Sequence, residues 1–136
     1  MKSLMMAFSL ICAAPVATAQ DGLQNGTLIG PEWVVESMAG RPIIDSSRMT
    51  LVFGTEGRVE GRAGCNPYTS SFAQGEADLR FGLLLSRSAD CGPALMQQES
   101  RFLAALAEVT GFSIDPTGAL TLLRADDSVA VTARRD

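Results

Sequence analysis

The chain has 136 residues, 46% of them hydrophobic, no histidine, and 15 acidic residues against 11 basic ones, for a formal net charge of -4. So apolar a composition without a long polar tract excludes a disordered chain, and the acidic balance argues against a phosphate-backbone binder, which needs a clustered basic face. The absence of histidine removes a Ser-His-Asp hydrolase and the usual zinc ligand sets.

The N-terminus carries one lysine, Lys2, and then runs from Leu4 to Ala14 without a charge. This is the pattern of a signal-peptide core, shorter than the roughly 20 apolar residues of a comfortable membrane span. Ala17-Thr18-Ala19 matches a small-x-small cleavage site, so residues 1–19 are expected to be removed and the mature chain to start at Gln20. Lipidation at Cys12 is the competing reading, disfavoured because Ile11 stands where lipoprotein signals carry a small residue. Loss of the leader leaves Cys65 and Cys91. In an oxidising compartment this pair reads most simply as a disulfide, with two free buried thiols as the alternative. A periplasmic or secreted location, with no membrane span in the mature chain, is expected.

Residues 20–31, with Gly22, Asn25, Gly26, Gly30 and Pro31, lack periodicity and read as a flexible tether, leaving 32–134 as one domain. Period-two alternation between turn residues then recurs, the signature of antiparallel strands. Strands are expected at 33–38 and 48–53, the latter with Met49, Leu51 and Phe53 on one face. The next strand places Val59, Gly61 and Ala63 inward and Arg58, Glu60 and Arg62 outward, with the carboxylate available to two guanidiniums. Two further strands are expected at 68–73 and 77–83, with Leu79, Phe81 and Leu83 inward. Pro93 opens a helix running to about Glu108, with Leu95, Phe102, Leu103, Leu106 and Val109 as its apolar stripe. Three strands follow, at 112–115, 119–124 and 128–133. The succession predicts an α+β domain: an antiparallel, strongly curled sheet of about eight short strands packed with one helix.

An ordered set of residues crosses this pattern: Trp33, then Gly61-Arg62-Ala63-Gly64-Cys65-Asn66-Pro67-Tyr68, then Leu79-Arg80-Phe81-Gly82, then Ser86-Arg87 before Cys91, then Met96 and Glu99 on the helix. The set resembles the META domain family, the HslJ-like heat shock proteins, over about residues 33–131. The resemblance implies a small secreted or envelope-attached domain, mostly antiparallel β with one helix, linked to stress tolerance or virulence. It departs from the family in one place, where members usually carry Thr-Arg-Met-x-Cys and this chain has a segment one residue longer between Arg87 and Cys91.

The individual residues read first as architecture. Cys65 and Cys91 lack the histidines or the Cys-x-x-Cys spacing of a metal or redox site. Asn66, next to Pro67, suits a turn in which its side chain bonds to backbone, with a ligand rim as the alternative. Tyr68 reads as a packed ring with its hydroxyl at the edge. Glu99 lies beside the apolar stripe and needs partners, either a turn or an arginine such as Arg87 or Arg62. Trp33, Gly61, Gly64 and Arg87 complete the structural set. No second titratable group accompanies Glu99, so no catalytic residue, cofactor site or metal site is expected. The function expected is a non-catalytic, monomeric, exported module supporting the envelope under stress, with a protein, peptide or lipid as partner and no nucleic acid. Lipid would enter beside Gly61 and Ala63. The alternative is an inhibitor of a secreted protease or lysozyme, acting through a loop at residues 67–74.

Overall fold

The computed structural model describes residues 27–44, 47–87 and 89–136. The expected leader, its cleavage site, Cys12 and the first part of the tether fall outside the described residues. The strands are β1 (Glu32–Met38), β2 (Arg41–Pro42), β3 (Thr50–Phe53), β4 (Arg58–Arg62), β5 (Pro67–Gln74), β6 (Leu79–Phe81), β7 (Leu85–Ser86), β8 (Val109–Ile114), β9 (Leu120–Arg124) and β10 (Val129–Arg135). The helix α1 spans Pro93–Ala107 between β7 and β8.

The strands run in the order β6-β5-β4-β3-β1-β10-β9-β8, all neighbours antiparallel, with β2 added to β1 and β7 to β5. The two ends of this path approach each other. Asp78 bridges Gly111, and the Phe112 N–H donates to the Ala77 carbonyl at 3.0 Å. The sheet is therefore a nearly closed barrel, which leaves few strand edges open. Irregularities in β1 between Val35 and Ser37, in β10 between Val129 and Val131, and in β8 between Val109 and Gly111 supply the extra curvature that closure needs.

Alternation places the core inside. Met49, Leu51, Phe53, Val59, Ala63, Leu79, Leu120, Leu122 and Val131 are all buried, as is Trp33. Phe53 packs edge-on against Phe72 at 5.0 Å and near Phe81 at 5.9 Å. The helix packs against β10 and β6, and its Glu99 and Phe102 reach the β4–β5 turn and Tyr68, so it lies across one mouth of the barrel. Gly92 and Pro93 start it, and β-branched Val109 and Thr110 pass directly into β8.

Four expectations are corrected. Leu83 does not face inward: β6 ends at Phe81, the Gly82 N–H pairs with the Ser71 carbonyl, and Leu83 is 79% exposed. Val109 belongs to β8, and the inward helix face is Gln98, Glu99, Phe102, Ala105 and Leu106, with Leu95 and Leu103 only half-buried. The tether ends earlier than residue 31. Leu28 is buried in the core, Ile29 bridges Phe53, and the Leu28 carbonyl accepts the Trp33 indole N–H at 2.9 Å. Residues 67–74 form strand β5 rather than a loop, held between β4 on one side and β6 and β7 on the other.

Candidate functional site

Most residues singled out in the sequence gather where α1 meets the β4–β5 turn. Cys65 in that turn and Cys91 before the helix form a disulfide, with their Cα atoms 6.0 Å apart. The bond fastens the entrance of α1 to the sheet. Next to it, Glu99 on the first half of α1 points into the turn, where one carboxylate oxygen accepts the Asn66 backbone N–H and the other the Asn66 side-chain amide, both at 2.9 Å. The Asn66 amide also donates to the Ala89 carbonyl at 3.0 Å, and its oxygen accepts the Ala89 N–H at 3.2 Å. Asn66 therefore does more than close its own turn: it joins three segments, the turn, the loop before Cys91 and the helix. Asn66 and Glu99 are both buried, at 1% and 4% exposure.

The partner of Glu99 is this turn and not an arginine. The Arg62 guanidinium donates instead to the Cys65 carbonyl at 3.2 Å, and the Arg87 side chain is exposed while its backbone N–H reaches the Pro67 carbonyl at 3.4 Å. No ion pair joins Glu60 to Arg58 or Arg62. The helix follower of Glu99 at one turn's spacing is Phe102, whose ring meets Tyr68 edge-on at 5.7 Å.

The Tyr68 hydroxyl is buried rather than at the edge, and donates to the Thr50 carbonyl at 2.6 Å. Burial pushes its phenol above the ordinary range, so it stays a donor. Tyr68 is the cross-strand partner of Gly61, and the Thr50 carbonyl oxygen lies 2.0 Å from where a Cβ on Gly61 would stand. Thr50 has turned this carbonyl out of the β3–β4 ladder toward the tyrosine, and its hydroxyl accepts the Arg62 N–H in place of the carbonyl at 3.0 Å. The room left by Gly61 is therefore filled by β3 and is no entry for an acyl chain. Gly64 is required for a different reason, its φ of +101°, a conformation most side chains disfavour.

Trp33 stands apart from this cluster, at the other end of the core, with the Arg135 guanidinium 5.2 Å from its ring. Every buried side-chain nitrogen and oxygen among the described residues has a partner. Among them, too, no group of three or more His, Cys, Asp or Glu is arranged to hold a metal ion. No helix among them is long and apolar enough to cross a membrane.

The outer side of α1 presents a different surface. Between it and the β1–β2 hairpin lies a groove of about 640 Å³. Ala94, Gln97, Arg101, Ala104 and Glu108 form one wall, at helical spacing; Met38, Ala39, Arg41, Pro42 and Ile44 form the other, with Arg124 and Ala130 at one end. Buried Gln98 braces the two walls, accepting the Ile44 N–H at 2.8 Å and donating to the Ser47 hydroxyl at 2.7 Å. Arg124 is paired with Glu108 at 2.8 Å, whereas Arg41 and Arg101 have no ion pair among the described residues.

A family model for the META domain matches residues 26–136, the whole barrel with its helix. The chain belongs to the META domain family. This META domain is similar in fold to a protein from Burkholderia xenovorans solved by NMR, with a TM-score of 0.66 and 24% identity over 80% of this chain and 83% of that one. A second protein solved by NMR matches with a TM-score of 0.56 and 23% identity, over 87% of this chain and 95% of that one. No match was found among curated proteins.

Sequence reasoning did not pick out Gln98, Arg41 or Arg101. Gln98 had a signal, since it shares the inward face with Glu99 and Phe102, one turn on. The arginines had none, because their place on one groove depends on β2 folding back beside the helix.

Proposed function

We propose that this META domain is a non-catalytic exported module that binds an envelope protein or peptide through the groove between α1 and the β1–β2 hairpin. The observation that carries the reading is a division of labour among polar groups. Asn66, Glu99, Tyr68 and the two cysteines are saturated by bonds to one another or to backbone. Arg41 and Arg101, by contrast, face a groove without an ion-pair partner among the described residues. A catalytic site needs a reactive group whose hydrogen bonds reach a substrate, and the saturated cluster offers none. The disulfide is compatible with an oxidising compartment, and a role in envelope stress is part of the same proposal. The inhibitor reading is the weaker one because its supposed loop is strand β5.

Affinity capture from an envelope extract tests the proposal, run in parallel with the wild-type chain and Ala104→Trp. Ala104 is exposed on the groove wall, so the indole fills the groove without entering the core. A component retained by the wild type and lost by the variant is the result expected. Capture of nothing, or of the same set by both, sinks the reading.

A further inference from the structure

The groove's charge opposes that of the chain around it. The chain is acidic overall, at -4, yet the groove is lined by three arginines and one glutamate. Glu108 is already neutralised by Arg124, leaving Arg41 on one wall and Arg101 on the other. Guanidiniums bind carboxylates through two parallel N–H donors and are weakly hydrated, so such a pair selects for a carboxylate that can sit between them. Met38, Ile44 and Ala104 add apolar surface to the lining. Its volume, about 640 Å³, lies within the range of roughly 300–1,000 Å³ usual for ligand sites.

We infer that the groove receives a short peptide segment in which a carboxylate lies beside an apolar side chain, the carboxylate held between Arg41 and Arg101. This rests on the binding reading above and adds the ligand's chemistry to it. A peptide fits better than a fatty acyl chain because Gln97, Gln98 and the arginines make the lining half polar, which an alkyl tail does not satisfy.

The test is selection of a random seven-residue peptide library against the oxidised full chain, with the Arg41→Ala/Arg101→Ala double variant as counter-selection. Both arginines are exposed and have no ion pair among the described residues, so the double variant should melt with the wild type, which is checked first. Enrichment of Asp or Glu beside Leu, Ile or Phe is expected. Synthetic versions should bind the wild type at least roughly tenfold more tightly than the double variant, the loss of one charge-assisted contact, and more weakly in high salt. Enriched peptides without acidic residues, or equal binding by the double variant, overturn the inference. If such peptides are still lost with Ala104→Trp, the groove remains a binding site and only the carboxylate assignment falls; if no peptide is sensitive to Ala104→Trp, both fall. Displacement of groove amide signals by dodecanoate but by no selected peptide also overturns it.

Discussion

Replacing Asn66 by alanine should cost far more than a turn residue ordinarily does. The side chain makes two bonds to the Ala89 backbone and one to the Glu99 carboxylate. Neutral bonds contribute about 1 kcal/mol each and a bond to a charged group about 1.5–3 kcal/mol, so the summed loss is roughly 3.5–5 kcal/mol. In a domain of this size that is a fall in Tm of roughly 12–20 °C. Asn66→Asp sharpens the test, because it sets a second carboxylate about 2.9 Å from Glu99 where an amide now donates. Like charges at that distance raise the folded-state pKa of the pair, so the variant should be worse than alanine at neutral pH and regain stability as the pH falls and the pair takes up a proton. Thermal melts of both variants between about pH 4.5 and 7.5 read this out. A loss under about 1 kcal/mol for Asn66→Ala, or a pH-independent deficit for Asn66→Asp, would refute the view that this cluster is a buried brace.

Gly61→Ala drives a Cβ into the Thr50 carbonyl, whose oxygen lies 2.0 Å from that position, and should cost at least about 3 kcal/mol in urea denaturation, whereas Gly82→Ala meets chiefly the movable Ser71 hydroxyl and should be milder. Opening the Cys65–Cys91 bond with reductant, or removing it by Cys65→Ser/Cys91→Ser, should lower stability by about 3.5 kcal/mol on the loop-entropy model for a separation of 26 residues; unchanged chemical denaturation would contradict it. Tyr68→Phe leaves the buried Thr50 carbonyl without its donor and should cost about 1–3 kcal/mol. Acid should also destabilise the turns that join β8 to β9 and β9 to β10. The Thr117 hydroxyl holds the Asp115 carboxyl below its ordinary 3.8, and the Ser128 hydroxyl does the same for Asp126. A depressed folded-state pKa gives stability that is fully present above the unfolded value and is lost as pH falls through the folded one. The decline in Tm below about pH 4 should therefore be shallower in Thr117→Val/Ser128→Ala than in the wild type.

What the sequence made legible follows from which interactions are local. The alternation of Met49, Leu51 and Phe53 and the Pro93 start of α1 are set by neighbours along the chain, and both elements form where the pattern puts them. Leu83 misled because alternation carries no mark of where a strand stops; the pairing with β5 runs on only as far as the bond from Gly82 to Ser71, and the leucine after it is exposed. Strands β2 and β7 are two residues long and owe their conformation to β1 and β5, so no periodicity announces them. The brace was half legible. Glu99 next to an apolar stripe signals a buried carboxylate, but its partner lies 33 residues away in the sequence, and only the closure of the barrel mouth brings Asn66 to it. The groove was not legible at all, since Arg41 and Arg101 line it from elements that share no local pattern.

In the proposed division of roles, the motif cluster braces the barrel and the outer groove binds. Amide NMR shifts of the labelled chain, followed while a selected acidic peptide is added, test it directly. Changes are expected along residues 38–44 and at Ala94, Gln97, Arg101 and Ala104, with Cys65, Asn66 and Tyr68 unmoved. Changes centred on Cys65, Asn66 and Tyr68, with the groove silent, would contradict it.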